Sequence, residues 1–368
     1  MRRLAAAGDE IEMWCVTSEP HVQPDPPLDG VALRFFDQRP RSTTAQKLAA
    51  LTSPLPTPAW VLRAPGILEA LGSLKGFGAA VVDHAHIGAL SPELDAARLP
   101  WLFDAANVEH SVLMQISRSL RNPITRTRFA LDAGKFRRLE SRLVAQARAS
   151  VAVSAEDAHR LEALHPGAKV EVIQTGVDLG YFRFTDHSKP RGANLLLTGT
   201  LGYYPNLDAC LWLVREIMPR VRALVPNAVL TLVGGPVPAE LAHIDREATG
   251  VHVVGPVPDV RPYLEAADLF VVPLRLGGGI RLKALESLAS GLPMVATPLA
   301  VEGVGVAERR LALLANDADG IAAAVERGLS DLPLRQRLVI EGRKHVEEHF
   351  DFDRIAETFR ATLARIAK

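Results

Sequence analysis

Residues 269–286 read LFVVPLRLGGGIRLKALE. Four apolar residues typical of a buried strand lead into three glycines, and the residues after the glycines have the pattern of a helix. Similar short apolar segments, separated by helical patterns, recur between residues 193 and 314. Alternation of this kind is typical of a parallel sheet with helices on both faces. The sequence therefore predicts an α/β, doubly wound fold for this half of the chain.

The length of 368 residues suits two domains. Apolar segments and helical patterns also alternate in the first half, less regularly. Residues 184–192 are polar and contain Pro and Gly, a composition typical of a linker. We therefore expect an N-terminal domain at residues 1–185, a C-terminal domain at residues 186–349 and a last amphipathic helix at residues 350–368.

The composition argues against several classes of protein. Lys and Arg together number 42, as do Asp and Glu, and this balance argues against a protein dominated by nucleic-acid binding. The two cysteines, Cys15 and Cys210, are too few for a disulfide framework or a metal cluster, so we predict buried free thiols. The apolar runs fall well short of the roughly 20 residues that a transmembrane helix needs. We expect the protein in the cytoplasm.

The glycine-rich segment predicts a site for a polyanion. Glycines let a ligand approach the backbone closely, and the first turn of a helix offers N–H groups and a positive dipole end. Arg281 and Lys283 place two cations in that turn, where they oppose the dipole unless an anion is bound. Diphosphate is the natural candidate, and Glu286 could accept hydrogen bonds from sugar hydroxyls. The alternative is a solvated first turn with ordinary surface cations.

Two segments carry a resemblance to a known family. Residues 258–273, PDVRPYLEAADLFVVP, and residues 285–296, LESLASGLPMVA, resemble signatures of the family 4 (GT4) glycosyltransferases of the GT-B fold. The resemblance implies two Rossmann-like domains that face a cleft and close around the donor, with a C-terminal helix that returns to the first domain. It implies that a hexose is transferred, with retention, from a nucleotide sugar to a hydroxyl of a glycan or a lipid-linked saccharide.

The resemblance also implies roles for residues of the second domain. Arg281 and Lys283 would act on the diphosphate, Glu286 would bind the ribose, and no metal ion or cofactor would be needed besides the nucleotide-diphosphate sugar as co-substrate. The other implied donor contacts are Gly199, Thr200, Pro258, Asp259, Pro273, Leu274, Gly278, Gly279 and Ile280.

The chain departs from the family pattern in its donor loops and at its beginning. Gly278 stands where the family usually has a glutamate, although a Gly-Gly-Gly-x-Arg-x-Lys loop resembles a subgroup. Residues 199–206, GTLGYYPN, lack the two cations often found there, so we expect Arg281 and Lys283 to replace them. Residues 2–7 resemble a helix that would return from a preceding strand. We expect either an extra helix or the loss of the family's first strand.

Candidate residues in the first domain follow two strands. Asp83-His84-Ala85-His86 resembles the His-containing strand end that faces the acceptor in the family, with His86 as the candidate catalytic residue and His84 as its substitute. Asn107 and Glu109 are candidates for the acceptor side. The alternatives are structural histidines and an Asn107 that caps the following helix.

Residues 111–150 carry a local excess of seven positive charges, since nine Arg and Lys face two acidic residues. A solvated basic face is one interpretation. Another is docking on an anionic inner-membrane surface, which would suit a lipid-linked acceptor. Nucleic acid is a third interpretation, and we expect no nucleic-acid partner because no binding module accompanies the charge.

Two other functions remain compatible with the sequence. A sugar-nucleotide 2-epimerase of GT-B fold would bind the same donor and convert it without an acceptor. A catalytically weak GT-B subunit that partners another transferase would account for Gly278 and for a loss of the family's first strand.

Overall fold

The computed structural model describes residues 1–17, 28–40, 43–244 and 249–368, which form two compact units. Unit 1 contains Met1–Gln174 and Asp353–Lys368, and unit 2 contains Thr175–Phe352. The predicted linker at residues 184–192 therefore lies inside unit 2, and the boundary falls earlier in the chain than we predicted.

Buried hydrogen bonds explain why the predicted linker belongs to unit 2. The fully buried Arg335 donates through Nε to the His187 carbonyl at 2.5 Å. The backbone N–H of Arg191 donates to the Asp268 carboxylate at 2.6 Å. Both bonds use backbone groups of residues 184–192, so main-chain pairing with charged side chains of unit 2 holds this polar stretch in that unit.

Unit 1 holds two separate parallel sheets. The strands β1 (Ile11–Thr17) and β2 (Val31–Asp37) pair with each other. A second sheet has the order β3-β4-β5-β6, with β3 at Ala80–Asp83, β4 at Trp101–Ala105, β5 at Ala149–Ala152 and β6 at Val170–Val172. Within the described residues β1 pairs with β2 alone and β3 with β4 alone.

The pattern of residues 124–148 predicts one long helix. This helix is confirmed as Pro123–Gln146, and the Asn122 side chain caps it by accepting from the N–H groups of Ile124 and Thr125. The final helix, Phe352–Ile366, packs Phe359 and Leu363 against Leu102 of β4. The remaining α-helices of unit 1 are Arg2–Ala6, Thr44–Thr52, Thr57–Leu62, Pro65–Gly72, His84–Ile87, Ser91–Ala96, Glu109–Ser119 and Ala155–Glu162, with a 3₁₀ turn at Gly88–Leu90.

Unit 2 is built on one six-stranded parallel sheet, as the apolar segments predicted. Its order is β12-β11-β10-β7-β8-β9. Leu195, Leu196 and Leu197 of β7 are each about 1% exposed, so this strand is covered on both faces. The strands are β7 (Asn194–Thr198), β8 (Val229–Val233), β9 (Val251–Gly255), β10 (Leu269–Val272), β11 (Met294–Ala296) and β12 (Leu313–Leu314).

The helical spacing of apolar residues in 207–224 predicts one helix, and this prediction is wrong. The segment is an α-helix at Tyr204–Trp212, a π-helical turn at Leu213–Ile217 and a second α-helix at Met218–Leu224. Pro219 has no N–H for a regular helix, and the wider turn precedes it. The other helices in the described part of unit 2 are Ala239–Ala242, Arg261–Ala266, Leu282–Ala289, Val306–Arg309, Ala318–Ser330 and Leu332–His349, with a 3₁₀ turn at Pro298–Val301.

None of the helices in the described ranges is long and apolar enough to cross a membrane. The thiol of Cys210 is buried, as predicted, whereas Cys15 on β1 is half-buried.

Candidate active site

The topology of unit 2 places the loops after β7 and β10 side by side. These strands are neighbours in the sheet, and the strand order reverses between them, because the chain continues from β7 to β8 on one side and from β10 to β11 on the other. Ligands of doubly wound sheets bind at the carboxyl ends of the strands at such a switch point. The two loops are residues 199–203 and 273–281.

Lys283 occupies this switch point. Its ammonium donates to Oδ1 of Asn206 at 2.8 Å, and Nδ2 of Asn206 donates to the Thr200 carbonyl at 2.8 Å. Gly199 has a φ of 141°, and a Cβ there would lie 2.6 Å from the Lys283 Nζ. Burial lowers the pKa of Lys283 to about 8. The Lys283 ammonium therefore lies against the end of β7, where Gly199 has no side chain that would clash with it.

A second polar link joins the same two loops. Arg275, after β10, pairs with Asp208 through contacts of 2.7 and 3.0 Å and lies 4.6 Å above the Trp212 ring. Asp208 and Asn206 both belong to the helix Tyr204–Trp212. This helix therefore fixes the position of the β10 loop through Arg275 and of Lys283 through Asn206.

Arg281 lies elsewhere than the sequence predicted. The helix begins at Leu282, so Arg281 is its N-cap and not a residue of its first turn. The buried guanidinium donates to the carbonyls of Gly278 and Gly279. In this structure Arg281 thus closes its own glycine loop, and Lys283 is the cation of the first turn.

The remaining predicted donor residues have different environments. Glu286 lies one turn after Lys283, and burial raises the pKa of its carboxyl. Pro273 and Leu274 are buried, and Ile280 is half-buried.

Of the two predicted residues after β9, Pro258 and Asp259, only Asp259 is shown to contact the neighbouring Arg261. Pro258 is exposed. The carboxylate of Asp259 pairs with Arg261 at 2.7 Å, which lowers the pKa of Asp259. The Arg261 guanidinium also lies 4.0 Å above the Tyr181 ring.

In unit 1 the structure brings His86 and Glu109 together, with 3.9 Å between Nδ1 and Oε1. The His86 ring packs edge-on against Phe136, and burial lowers its pKa to about 4. His84 has a φ of 67° and contacts the Asp83 carboxylate at 2.7 Å, which raises the His84 pKa. Because its pKa is so low, His86 is neutral at physiological pH. A neutral imidazole can donate one hydrogen bond and accept another.

Two buried carboxyl groups modify this site. Glu140, on the long helix, accepts from the Glu109 N–H at 2.6 Å and contacts His110 Nδ1 at 2.6 Å. Burial, and then the charge of Glu140, raise the pKa of Glu109 to about 7. Asp104 pairs in register with Asp83, and burial raises its pKa to about 6. Asn107 contacts the Glu109 side chain.

Sequence reasoning missed Asn206, Glu140 and Asp104. Asn206 lies in the stretch noted only for lacking cations. Glu140 is separated from Glu109 by 31 positions along the chain. The apolar pattern of residues 100–103 predicts a strand that ends at Phe103, and Asp104 lies one residue further on, inside β4. A polar residue in a predicted strand end was the available signal for Asp104.

Comparisons with known proteins bear on unit 2 most directly. Residues 192–331 match the family described as Glycosyl transferases group 1. The D-inositol 3-phosphate glycosyltransferase of Nocardioides sp. strain JS614 is 30% identical over 198 residues, which cover 46% of this chain and 43% of that protein. The lipopolysaccharide core biosynthesis glycosyltransferase LpsE of Rhizobium meliloti is 32% identical over 155 residues, with coverage of 39% and 43%. The matched parts span less than half of either relative.

Solved structures of low sequence identity share the fold. Sucrose-phosphate synthase from Thermosynechococcus elongatus has a TM-score of 0.73 at 19% identity, covering 99% of this chain and 90% of that chain. HepE of Anabaena, solved in complex with UDP-glucose, has a TM-score of 0.63 at 12% identity, covering 96% and 100%. The chain therefore has the predicted fold of the GT-B glycosyltransferases, and its residues 192–331 match the group 1 glycosyl transferases.

Proposed function

We propose that this protein is a glycosyltransferase that moves a hexose from a nucleotide-diphosphate sugar to an acceptor hydroxyl with retention. The observation that carries the proposal is the Lys283 ammonium, held by Asn206 against Gly199 at the switch point of the unit 2 sheet. A buried cation at a helix N-terminus beside a glycine strand end suits a diphosphate. The match of residues 192–331 and the names of the relatives support it.

The donor would bind to unit 2. The diphosphate would lie on Lys283 and the N–H groups of the helix Leu282–Ala289, and Glu286 would accept hydrogen bonds from the ribose. Pro258 and Pro273 would line the base. HepE, which shares the fold, binds UDP-glucose in its solved complex, and this supports a uridine nucleotide as the first donor to test.

The chemistry needs a stabilised leaving group. The bond between the sugar C1 and the diphosphate oxygen breaks, and the acceptor oxygen forms a new bond to C1 on the same face. The acceptor proton passes to a diphosphate oxygen. Negative charge grows on the diphosphate during this step, and Lys283 with the helix N–H groups stabilises it in a site already organised for it. The proposal requires no metal ion.

Unit 1 would supply the acceptor side. Neutral His86 would hydrogen-bond a sugar hydroxyl of the donor or position the acceptor, and Glu109 would accept a hydrogen bond from the acceptor. The acceptor would be a glycan or a lipid-linked saccharide. The stretch 111–150 would dock unit 1 on an anionic membrane surface in the cytoplasm, because Ile124 is 81% and Leu131 53% exposed among its arginines.

Thermal stabilisation by UDP-, GDP-, dTDP- and ADP-sugars tests the donor site. A ligand that binds only the folded state adds about 2.7 kcal/mol when it is present at about 100 times its Kd. We expect one nucleotide class to raise the Tm of the wild type. Lys283→Ala should lose the shift. Asn206→Asp should weaken it, because the new carboxylate pairs with Lys283 and competes with the diphosphate.

Lys344→Ala is the matched control, since Lys344 is an exposed lysine of the same unit. It should keep the full shift. Equal shifts in wild type and Lys283→Ala would contradict the assigned site. Product analysis with the responding donor then separates transfer to an acceptor from 2-epimerisation of the donor.

A further inference from the structure

Unit 1 contains a cavity that the candidate active site does not use. Its volume is about 520 Å³, within the range of small-molecule sites. Gln38 and Arg39, which follow β2, form one wall. The long helix forms a second wall with Arg128, Phe129 and Asp132. The remaining lining residues are Thr57, Pro58, Val61 and Leu113. The predicted acceptor-side residues His84, His86, Asn107 and Glu109 are not among its lining residues.

The charges in this cavity favour an anion. Oδ1 of Asp132 already accepts from the N–H of Thr57 at 3.0 Å and from its hydroxyl at 3.2 Å. Arg39 donates to the Arg63 carbonyl at 2.7 Å and lies 4.7 Å above the Trp60 ring. Both of these partners are neutral, so they orient the guanidinium without neutralising its charge.

Arg128 adds a second cation from a different element. Across residues 1–17, 28–40, 43–244 and 249–368, no carboxylate lies within ion-pair distance of Arg39 or Arg128. Two guanidinium groups against one engaged carboxylate leave the lining with a net positive charge. A phosphate monoester has three terminal oxygens that can accept hydrogen bonds from two guanidinium groups, whereas a carboxylate has only two oxygens.

We infer that this cavity binds an organic phosphate, with Arg39 and Arg128 on the phosphate and Phe129 and Gln38 beside the polyol or sugar that carries it. The inference deepens the proposed function, on which it rests in one respect: the bound phosphate would belong to a part of the acceptor other than the hydroxyl that His86 and Glu109 would position. A soluble sugar and a lipid headgroup can both carry such a phosphate, and the experiment has an arm for each.

Binding is measured calorimetrically with glucose 6-phosphate, glycerol 3-phosphate and inorganic phosphate, with glucose as the uncharged comparison. A parallel arm measures binding to phosphatidylglycerol vesicles against phosphatidylcholine vesicles. Arg39→Gln and Arg128→Gln should each weaken binding of the phosphate probe about tenfold or more, because each removes charged hydrogen bonds. For the soluble phosphate probes, the matched control Arg137→Gln removes an exposed arginine of the same helix outside the lining and should keep wild-type affinity.

Asp132→Asn guards against loss of binding through misfolding. Asn can still accept from Thr57, and the loss of one negative charge should tighten phosphate binding a few-fold. Equal affinity for glucose and glucose 6-phosphate overturns the inference. So does wild-type affinity in both arginine variants, or no binding of any phosphate probe at millimolar concentration. Arg39 lies outside residues 111–150, so vesicle binding that Arg39→Gln leaves at the wild-type level would reject a lipid headgroup as the carrier of the phosphate.

The thermal stabilisation by nucleotide sugars, described above, distinguishes a failure of this inference from a failure of the proposed function. A protein that binds a phosphate probe through Arg39 and Arg128, yet responds to none of the nucleotide sugars, would leave the cavity assigned and reject the transferase. A protein that responds to a nucleotide sugar through Lys283, yet binds none of the phosphate probes, would reject the cavity assignment alone.

Discussion

Among single residues, Lys283 is the group on which the proposed chemistry depends. Its ammonium is held by one neutral amide, at 2.8 Å from Asn206 Oδ1. Burial disfavours the charged form, and the pKa falls to about 8. A bound diphosphate would raise this pKa again, since an anion nearby favours the ammonium. An incoming diphosphate would therefore stabilise Lys283 in its charged form.

The lowered pKa gives donor binding a pH dependence. Below about pH 8 the free protein carries Lys283 as the ammonium, and above that value the ammonium loses its proton. We expect the donor Kd to rise with pH there, by up to about tenfold for each pH unit. Lys283→Arg should abolish this rise, because arginine stays charged. Calorimetric Kd values from about pH 7 to about pH 9 check this; the same slope in both proteins would contradict the assignment.

Among the strands and loops, two strand ends of unit 2 depend on glycine. A Cβ on Gly234, after β8, would lie 1.9 Å from the Gly199 carbonyl oxygen, and its φ is 132°. The loops after β7 and β8 therefore touch through their backbones. Glycine at position 234 is what permits this backbone contact.

Replacing Gly234 should cost more than an ordinary strained glycine. Gly234→Ala must push a backbone carbonyl aside, so we expect a loss of about 3 kcal/mol or more of unfolding free energy. Gly76→Ala is the matched control, because Gly76 has a φ of 83° and no atom within 4 Å of an added Cβ. It should lose about 1 kcal/mol from backbone strain alone. Urea unfolding of both variants tests this, and equal losses would show that backbone strain, and not the contact, sets the cost.

Over the protein as a whole, a net charge of zero coexists with a strongly basic stretch at residues 111–150. The chain carries 42 basic and 42 acidic residues, yet residues 111–150 have an excess of seven positive charges. Ile124 projects from the start of the long helix and is 81% exposed. Apolar side chains among arginines suit the interface of an anionic membrane.

Co-sedimentation with phosphatidylglycerol vesicles tests this surface. Ile124→Asp should reduce the bound fraction about fivefold or more, since it removes apolar burial and adds a repelled charge. Ile340→Asp is the control, because Ile340 is 55% exposed in unit 2, away from the basic stretch. Salt should weaken the wild-type interaction by screening. Equal effects of the two substitutions would reject residues 111–150 as the docking surface.

Local sequence determined the elements of this protein. The strand β10, the glycine loop and the helix Leu282–Ala289 follow from the spacing of apolar residues and glycines, which acts over a few positions. The same local logic predicted the helix Pro123–Gln146 and the six strands of unit 2. It also drew attention to Lys283, His86 and Glu109 as residues at strand and helix ends.

The tertiary structure alone decided which side chains meet. Asn206 and Lys283 are 77 positions apart, and they touch because the crossovers of a doubly wound sheet bring the ends of β7 and β10 together. Arg281 turned onto its own loop because the helix begins one residue after it. The described strands of unit 1 form two sheets, although their apolar patterns are compatible with a single sheet. Periodicity fixes an element and its buried face, whereas pairing between distant elements depends on how the whole chain packs.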